Sequence, residues 1–150
     1  MTIALTRAVP PSITRCELTH LAREPIDWSR AKRQHEEYER VLRSLGCTVT
    51  RLAQLPDNPD SVFVEDTAIV LDECAVITRP GALSRRDETA SVAEAIGPYR
   101  PLQHIRSPGT MDGGDVLKVG RRLYIGLSTR TDADGARQLA GTSRPVRDSS

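Results

Sequence analysis

Aromatic residues are scarce in this 150-residue chain: one Trp, one Phe and three Tyr. Any core therefore rests on Val, Ile, Leu and Ala, and it is modest. A surplus of charge of either sign is also missing, since 21 Lys and Arg face 20 Asp and Glu. That balance argues against a nucleic-acid-binding arm. No run of apolar residues approaches the length of a membrane span, and the opening MTIALTRAVPPS lacks the apolar centre of a signal peptide. The reading is a cytoplasmic protein without a membrane partner. Three cysteines, Cys16, Cys47 and Cys74, are too few and too scattered for a disulfide framework, and no CxxC occurs. His20, His35 and His104 lack ligand-like spacing, so no metal is expected.

The chain does contain clear periodicity. Between Asp27 and Gly46 the residues Ala31, Tyr38, Val41, Leu42 and Leu45 fall near one helical stripe, with Asp27 placed to cap the start and Gly46 to end it. Glu36–Arg40 and Glu39–Arg43 are spaced as i,i+4 pairs, which makes the charge run a solvated helix face. Strand patterns occupy Thr2–Thr6, Thr48–Leu52, Ser61–Val64, Ala68–Leu71, Ala75–Thr78, Val116–Val119 and Leu123–Leu127. Asp72-Glu73 and Gly120-Arg121-Arg122 suit hairpin turns, and Thr89–Ile96 and Asp132–Ala140 read as short helices. The stretch from Asp66 laid over that from Asp115 repeats the order acid, strand, turn, strand, loop, helix at an offset of 49 residues. Three such modules, roughly 1–54, 55–100 and 101–140, fill the chain ahead of a polar tail, 141–150. A chain ending there leaves strand edges uncovered, so a truncated form of something longer is expected.

Two places concentrate acids among apolar residues: Asp60 with Glu65 and Asp66, and Asp112 with Asp115 around Gly113-Gly114. Ionised carboxylates withdrawn from water need a cation, supplied internally by an arginine such as Arg79 or by a ligand. A guanidinium is the planar, bidentate match, while Arg85, Arg86 and Arg130 offer the converse clamp for a carboxylate. Acids and arginines together suggest a zwitterionic, arginine-like ligand. Trp28, beside Asp27, is read as packed at the helix entrance, and the cysteines as small core residues.

The blocks CELTH (Cys16–His20), DSVFVEDTAIV (Asp60–Val70), ITRPGALSRR (Ile77–Arg86), MDGGDVL and GLSTRT (within Met111–Thr131) closely resemble the dimethylarginine dimethylaminohydrolases. The resemblance runs from about Thr14 to Ala140. It implies a pentein-type α/β propeller with about three of five ββαβ modules present and the ring incomplete. It also implies thiol-based hydrolysis of a methylated arginine to citrulline and a methylamine, with no metal or organic cofactor and a homodimer as a possible assembly. By position it places Leu18, Asp60, Glu65, Asp66, Arg85 and Arg130 on the substrate side and Asp112 in the catalytic group. The family's catalytic His and Cys match no position here and are expected in modules beyond Ala140. The alternatives are an arginine deiminase-like guanidine-modifying enzyme and a non-catalytic guanidino-binding module or inactive fragment.

Overall fold

A computed structural model describes residues 1–18, 22 and 24–142. His20 and the tail beyond Thr142 lie outside the described residues. Contacts divide the chain into two compact units, Met1–Val64 and Glu65–Ser150.

In the first unit, β1 (Thr2–Arg7) runs parallel to β2 (Cys47–Leu52), from Thr2 opposite Cys47 to Arg7 opposite Leu52. A parallel pair needs a crossover, and α1 (Trp28–Ser44) supplies it. The Asp27 carboxylate accepts from the Arg30 N–H at 3.0 Å, and Gly46 leaves the helix at φ 87°. A small core of Val9, Ile13 and Cys16 receives Ile26, Trp28, Ala31 and Val62. Trp28 packs at the helix entrance as expected, its indole N–H donating to the Val9 carbonyl at 3.2 Å.

Two sequence expectations fail in this unit. Tyr38, Val41 and Leu45 are exposed, and the one buried residue of α1 is Glu39. The inward face is set by what β1 and β2 present to it: the Thr6 hydroxyl donates to Glu39 at 2.7 Å, and Arg51 Nε donates to the same carboxylate at 2.9 Å. Polar pairing, not the apolar stripe, orients this helix. Ser61–Val64 is not a strand. Its backbone closes local turns, Ser61 N–H to Asn58 O and Phe63 N–H to Asp60 O, and leads into a 3-10 turn at Val64–Asp66. The Ser61 carbonyl is taken by Arg7 Nε at 3.0 Å, an acceptor that a neighbouring strand would otherwise use.

The second unit holds β3 (Ala68–Val70), β4 (Ala75–Ile77), α2 (Thr89–Ile96) and β5 (Leu102–His104), a complete ββαβ module. β4 lies centrally, antiparallel to β3 and parallel to β5, and all three of its residues are buried. β5 escaped the sequence reading because its Leu-Gln-His is too short and polar to carry a periodic signal. A second hairpin, β6 (Val116–Val119) and β7 (Arg122–Ile125), turns at Gly120, φ 59°, and is followed by α3 (Ala133–Thr142). Both hairpins follow a 3-10 turn that ends in an acid, Val64–Asp66 and Gly113–Asp115, so the 49-residue repeat is a repeat of structure. One core joins them: Ile69, Leu71, Cys74, Val76, Ile105, Met111 and Leu139, with Val116, Leu123 and Ile125 against it. Among the described residues no helix is long and apolar enough to cross a membrane.

Candidate functional site

The second unit brings five of the seven residues singled out from sequence, Glu65, Asp66, Arg85, Asp112 and Arg130, into one constellation with Glu88. The two acid-bearing 3-10 turns lie back to back: the Gly114 N–H donates to Asp66 Oδ1 at 3.1 Å, and Gly113 packs against the backbone of Glu65 and Asp66. Only a residue without Cβ permits that approach. Asp66 and Asp112, 46 positions apart in the chain, thereby come into each other's electrostatic range.

Arg85 sits on a 3-10 turn, Leu83–Glu88, and is buried. Its Nη1 donates to Asp66 Oδ2 at 2.6 Å and its Nη2 to Glu88 Oε2 at 2.8 Å. Burial alone would lower the Arg85 pKa, but Glu88 and Asp66 raise it on balance, so the side chain is held as a cation. The internal partner of these acids is thus Arg85. Arg79, the internal candidate from sequence, instead donates to the Gly109 carbonyl at 3.1 Å. Glu88 was missed at the sequence level, although its i,i+3 spacing from Arg85 was the available signal.

Asp112 is the most isolated of these carboxylates. It is 2% exposed, and among the described residues Oδ1 accepts only a long 3.4 Å hydrogen bond from the Gly81 N–H. Oδ2 is buried and accepts no hydrogen bond among the described residues, with Arg130 Nη1 3.7 Å away. Burial first, and the negative charge of Asp66 second, push the Asp112 carboxyl above its ordinary 3.8, while Arg85 and Arg130 pull the other way. Burial likewise raises Glu65. Glu65, Asp66, Glu88 and Asp112 thus gather around the guanidinium groups of Arg85 and Arg130, and among the described residues Asp112 Oδ2 accepts no hydrogen bond from either.

In the first unit the buried Asp60 accepts from the Glu17 N–H through both oxygens, at 3.2 and 3.1 Å. It thus fixes the backbone next to Leu18, which is 38% exposed. Cys16 and Cys74 are buried, Cys47 begins β2, and burial raises the Cys74 thiol away from its nucleophilic form.

The family model described as "Arginine deiminase" matches residues 54–143, more than half of the chain. Among curated proteins, an N(G),N(G)-dimethylarginine dimethylaminohydrolase of Streptomyces coelicolor is 42% identical over 144 residues, covering 95% of this chain and 56% of that protein. One of the same description from Pseudomonas aeruginosa is 44% identical over 115 residues, covering 75% and 45%. A solved structure of the Pseudomonas aeruginosa protein, complexed with citrulline, superposes with a TM-score of 0.88 at 39% identity, covering 93% of this chain and 55% of that one. The chain spans about half the length of the curated relatives it matches. The expected pentein-type α/β fold is shared with these neighbours.

Proposed function

Because this chain belongs to the arginine deiminase family, we propose that it supplies the guanidinium-holding part of an enzyme that hydrolyses N-omega-methylated arginine to citrulline and a methylamine. The observation that carries this is the buried Asp112 Oδ2, which accepts no hydrogen bond among the described residues and lies within the electrostatic range of Asp66. A substituted guanidinium is flat, cationic and rich in N–H donors, so it meets both requirements at once. The names of the two curated relatives favour a methylated substrate over arginine.

In this reading Asp112 and Asp66 accept from the guanidinium nitrogens, keep the group protonated and leave its central carbon electrophilic. Arg130 takes the ligand's α-carboxylate. Arg85, bridged by Asp66 and Glu88, serves by fixing the Asp66 oxygens, and Glu65 adds negative charge beside them. Asp60 holds the Leu18 segment. A thiolate then attacks the guanidinium carbon and a general acid protonates the departing amine. Water next displaces the sulfur from the resulting thiouronium, giving citrulline and the free thiol. In this reading Cys16, Cys47 and Cys74 serve as small packing residues, and the thiol comes from a part of the enzyme outside this chain.

Calorimetric titration of the chain with asymmetric dimethylarginine tests the binding half of the proposal. Saturable binding that weakens about 10- to 100-fold in Asp112→Asn is expected, the loss of one charge-assisted acceptor pair. The absence of any heat at millimolar ligand overturns it. Titration with arginine separates an arginine deiminase-like preference, for which arginine binds more tightly than its methylated form.

A pH dependence follows. A cation beside Asp112 favours its ionised form, so binding expels a proton wherever the carboxyl is still protonated. Affinity is expected to climb about tenfold per pH unit as pH rises toward the elevated Asp112 pKa and to level off above it. In Asp112→Asn that dependence shrinks to the part that Glu65 contributes. A flat profile in the native chain contradicts the assignment of Asp112 as the acceptor.

A further inference from the structure

Behind Asp112 and Arg130 lies a hydroxyl relay centred on Asp115. The Thr131 hydroxyl donates to Asp115 Oδ2 at 2.6 Å, and the Ser128 hydroxyl donates to the same oxygen at 2.7 Å. Each hydroxyl has one proton and two lone pairs. With the proton committed to Asp115, the lone pairs are directed at backbone N–H groups. Thr131 Oγ1 accepts from the Asp112 N–H at 3.1 Å, while Ser128 Oγ accepts from the Arg130 N–H at 3.0 Å and the Thr131 N–H at 3.2 Å. The Asp115 main chain ties the same segment down, its carbonyl accepting from the Gly126 N–H at 2.8 Å and its N–H donating to the Asp112 carbonyl at 3.1 Å.

From this geometry we infer that Asp115 is a positioning residue: through Thr131 it sets the backbone that carries Asp112, and through Ser128 the backbone that carries Arg130. A single carboxylate thereby couples the two ends of the ligand, the guanidinium end at Asp112 and the carboxylate end at Arg130. The ligand assignment rests on the guanidinium reading above, whereas the coupling of Asp115 to the two backbones does not. Thr131 is buried and Ser128 exposed, so the Asp112 arm is shielded from water and the Arg130 arm competes with it. The Asp112 arm is the stiffer of the two.

The test uses the 150-residue chain with two readouts: exchange rates of the Asp112 and Arg130 amide protons without ligand, and calorimetric affinity for two probes. The probes are asymmetric dimethylarginine and agmatine, a guanidine with no carboxylate. In Asp115→Ala both amides are expected to exchange about tenfold faster and dimethylarginine to bind about tenfold more weakly. Asp115→Asn, which keeps one acceptor oxygen, restores part of both. Ser128→Ala weakens dimethylarginine more than agmatine, and Thr131→Val weakens both probes. Unchanged amide exchange in Asp115→Ala overturns the inference. So does an equal loss of both probes in Ser128→Ala, the mark of a general structural defect. If the native chain binds neither probe, the guanidinium reading fails, and amide exchange alone then decides whether Asp115 positions the two backbones.

Discussion

Glu39→Ala is expected to lower the unfolding free energy by about 3 kcal/mol, the low end of the cost of removing one partner from a buried ion pair. Glu39 is fully buried and accepts hydrogen bonds from the Thr6 hydroxyl, Arg51 and, at 3.4 Å, Arg43, with His35 also beside it. Its loss leaves the buried Thr6 hydroxyl without that acceptor and opens a space between α1 and the β1–β2 pair. Arg51 is 39% exposed and turns to water, which keeps the cost from the upper end of the range. Urea unfolding at pH 7 measures the difference. Glu39→Gln keeps the shape, and about half the loss is expected.

The acid dependence has a definite sign. Burial works against the ionised Glu39, but Arg51 and Thr6 outweigh it, and the carboxyl ends below its ordinary 4.5. A depressed acid contributes stability that is present above the unfolded-state value and is lost as pH falls through the folded-state value. The gap between the native chain and Glu39→Gln is therefore expected to narrow below pH 4.5. His35, 3.5 Å from the same carboxylate, has its pKa lowered chiefly by burial, so its contribution already starts to fall as pH drops through 6.5. A gap that stays constant into acid contradicts the ion-pair account.

Gly113→Ala is expected to cost about 3 kcal/mol and to abolish measurable dimethylarginine binding. A Cβ at this position meets the Glu65 carbonyl oxygen well inside van der Waals contact and comes within 3.3 Å of the Asp66 Cα. Both obstacles are backbone, so relief requires the two acid-bearing turns to part, and overpacking of this kind costs a few kcal/mol. Separation also breaks the Gly114 N–H bond to Asp66 and moves Asp66 away from Asp112. Gly114→Ala provides the contrast, because its Cβ meets only the Asp66 side chain, at 2.7 Å. That carboxylate can turn aside, so stability is largely kept while affinity falls. Chemical denaturation and calorimetry on both variants check the pair of outcomes, and a Gly113→Ala chain as stable as the native one excludes the back-to-back packing.

Much of this protein was legible in one dimension because the deciding interactions are local. Asp27 caps α1 three residues from its donor, Gly120 turns a two-stranded hairpin, and α2 spans the residues that its pattern marks. The repeat of acid, strand, turn and strand was visible for the same reason, as each copy closes on itself within a few dozen residues. The resemblance of five ordered blocks to the dimethylargininases supplied the family and the candidate residues.

What escaped depends on distant partners. The helix face that points inward was misjudged because the apolar stripe of α1 is a local property, whereas the burial of Glu39 is set by Thr6 and Arg51 on strands 33 and 12 positions away. The ion pair of Arg85 with Asp66, 19 positions away, and the closeness of Asp66 to Asp112, whose turns lie nearly fifty residues apart, exist only in three dimensions. Sequence alone determined which residues carry charge and which short elements they sit on, because propensity, capping and turn chemistry act between near neighbours. Tertiary structure alone decided which charges are buried and which of them find partners, because desolvation and pairing depend on distance through space rather than along the chain.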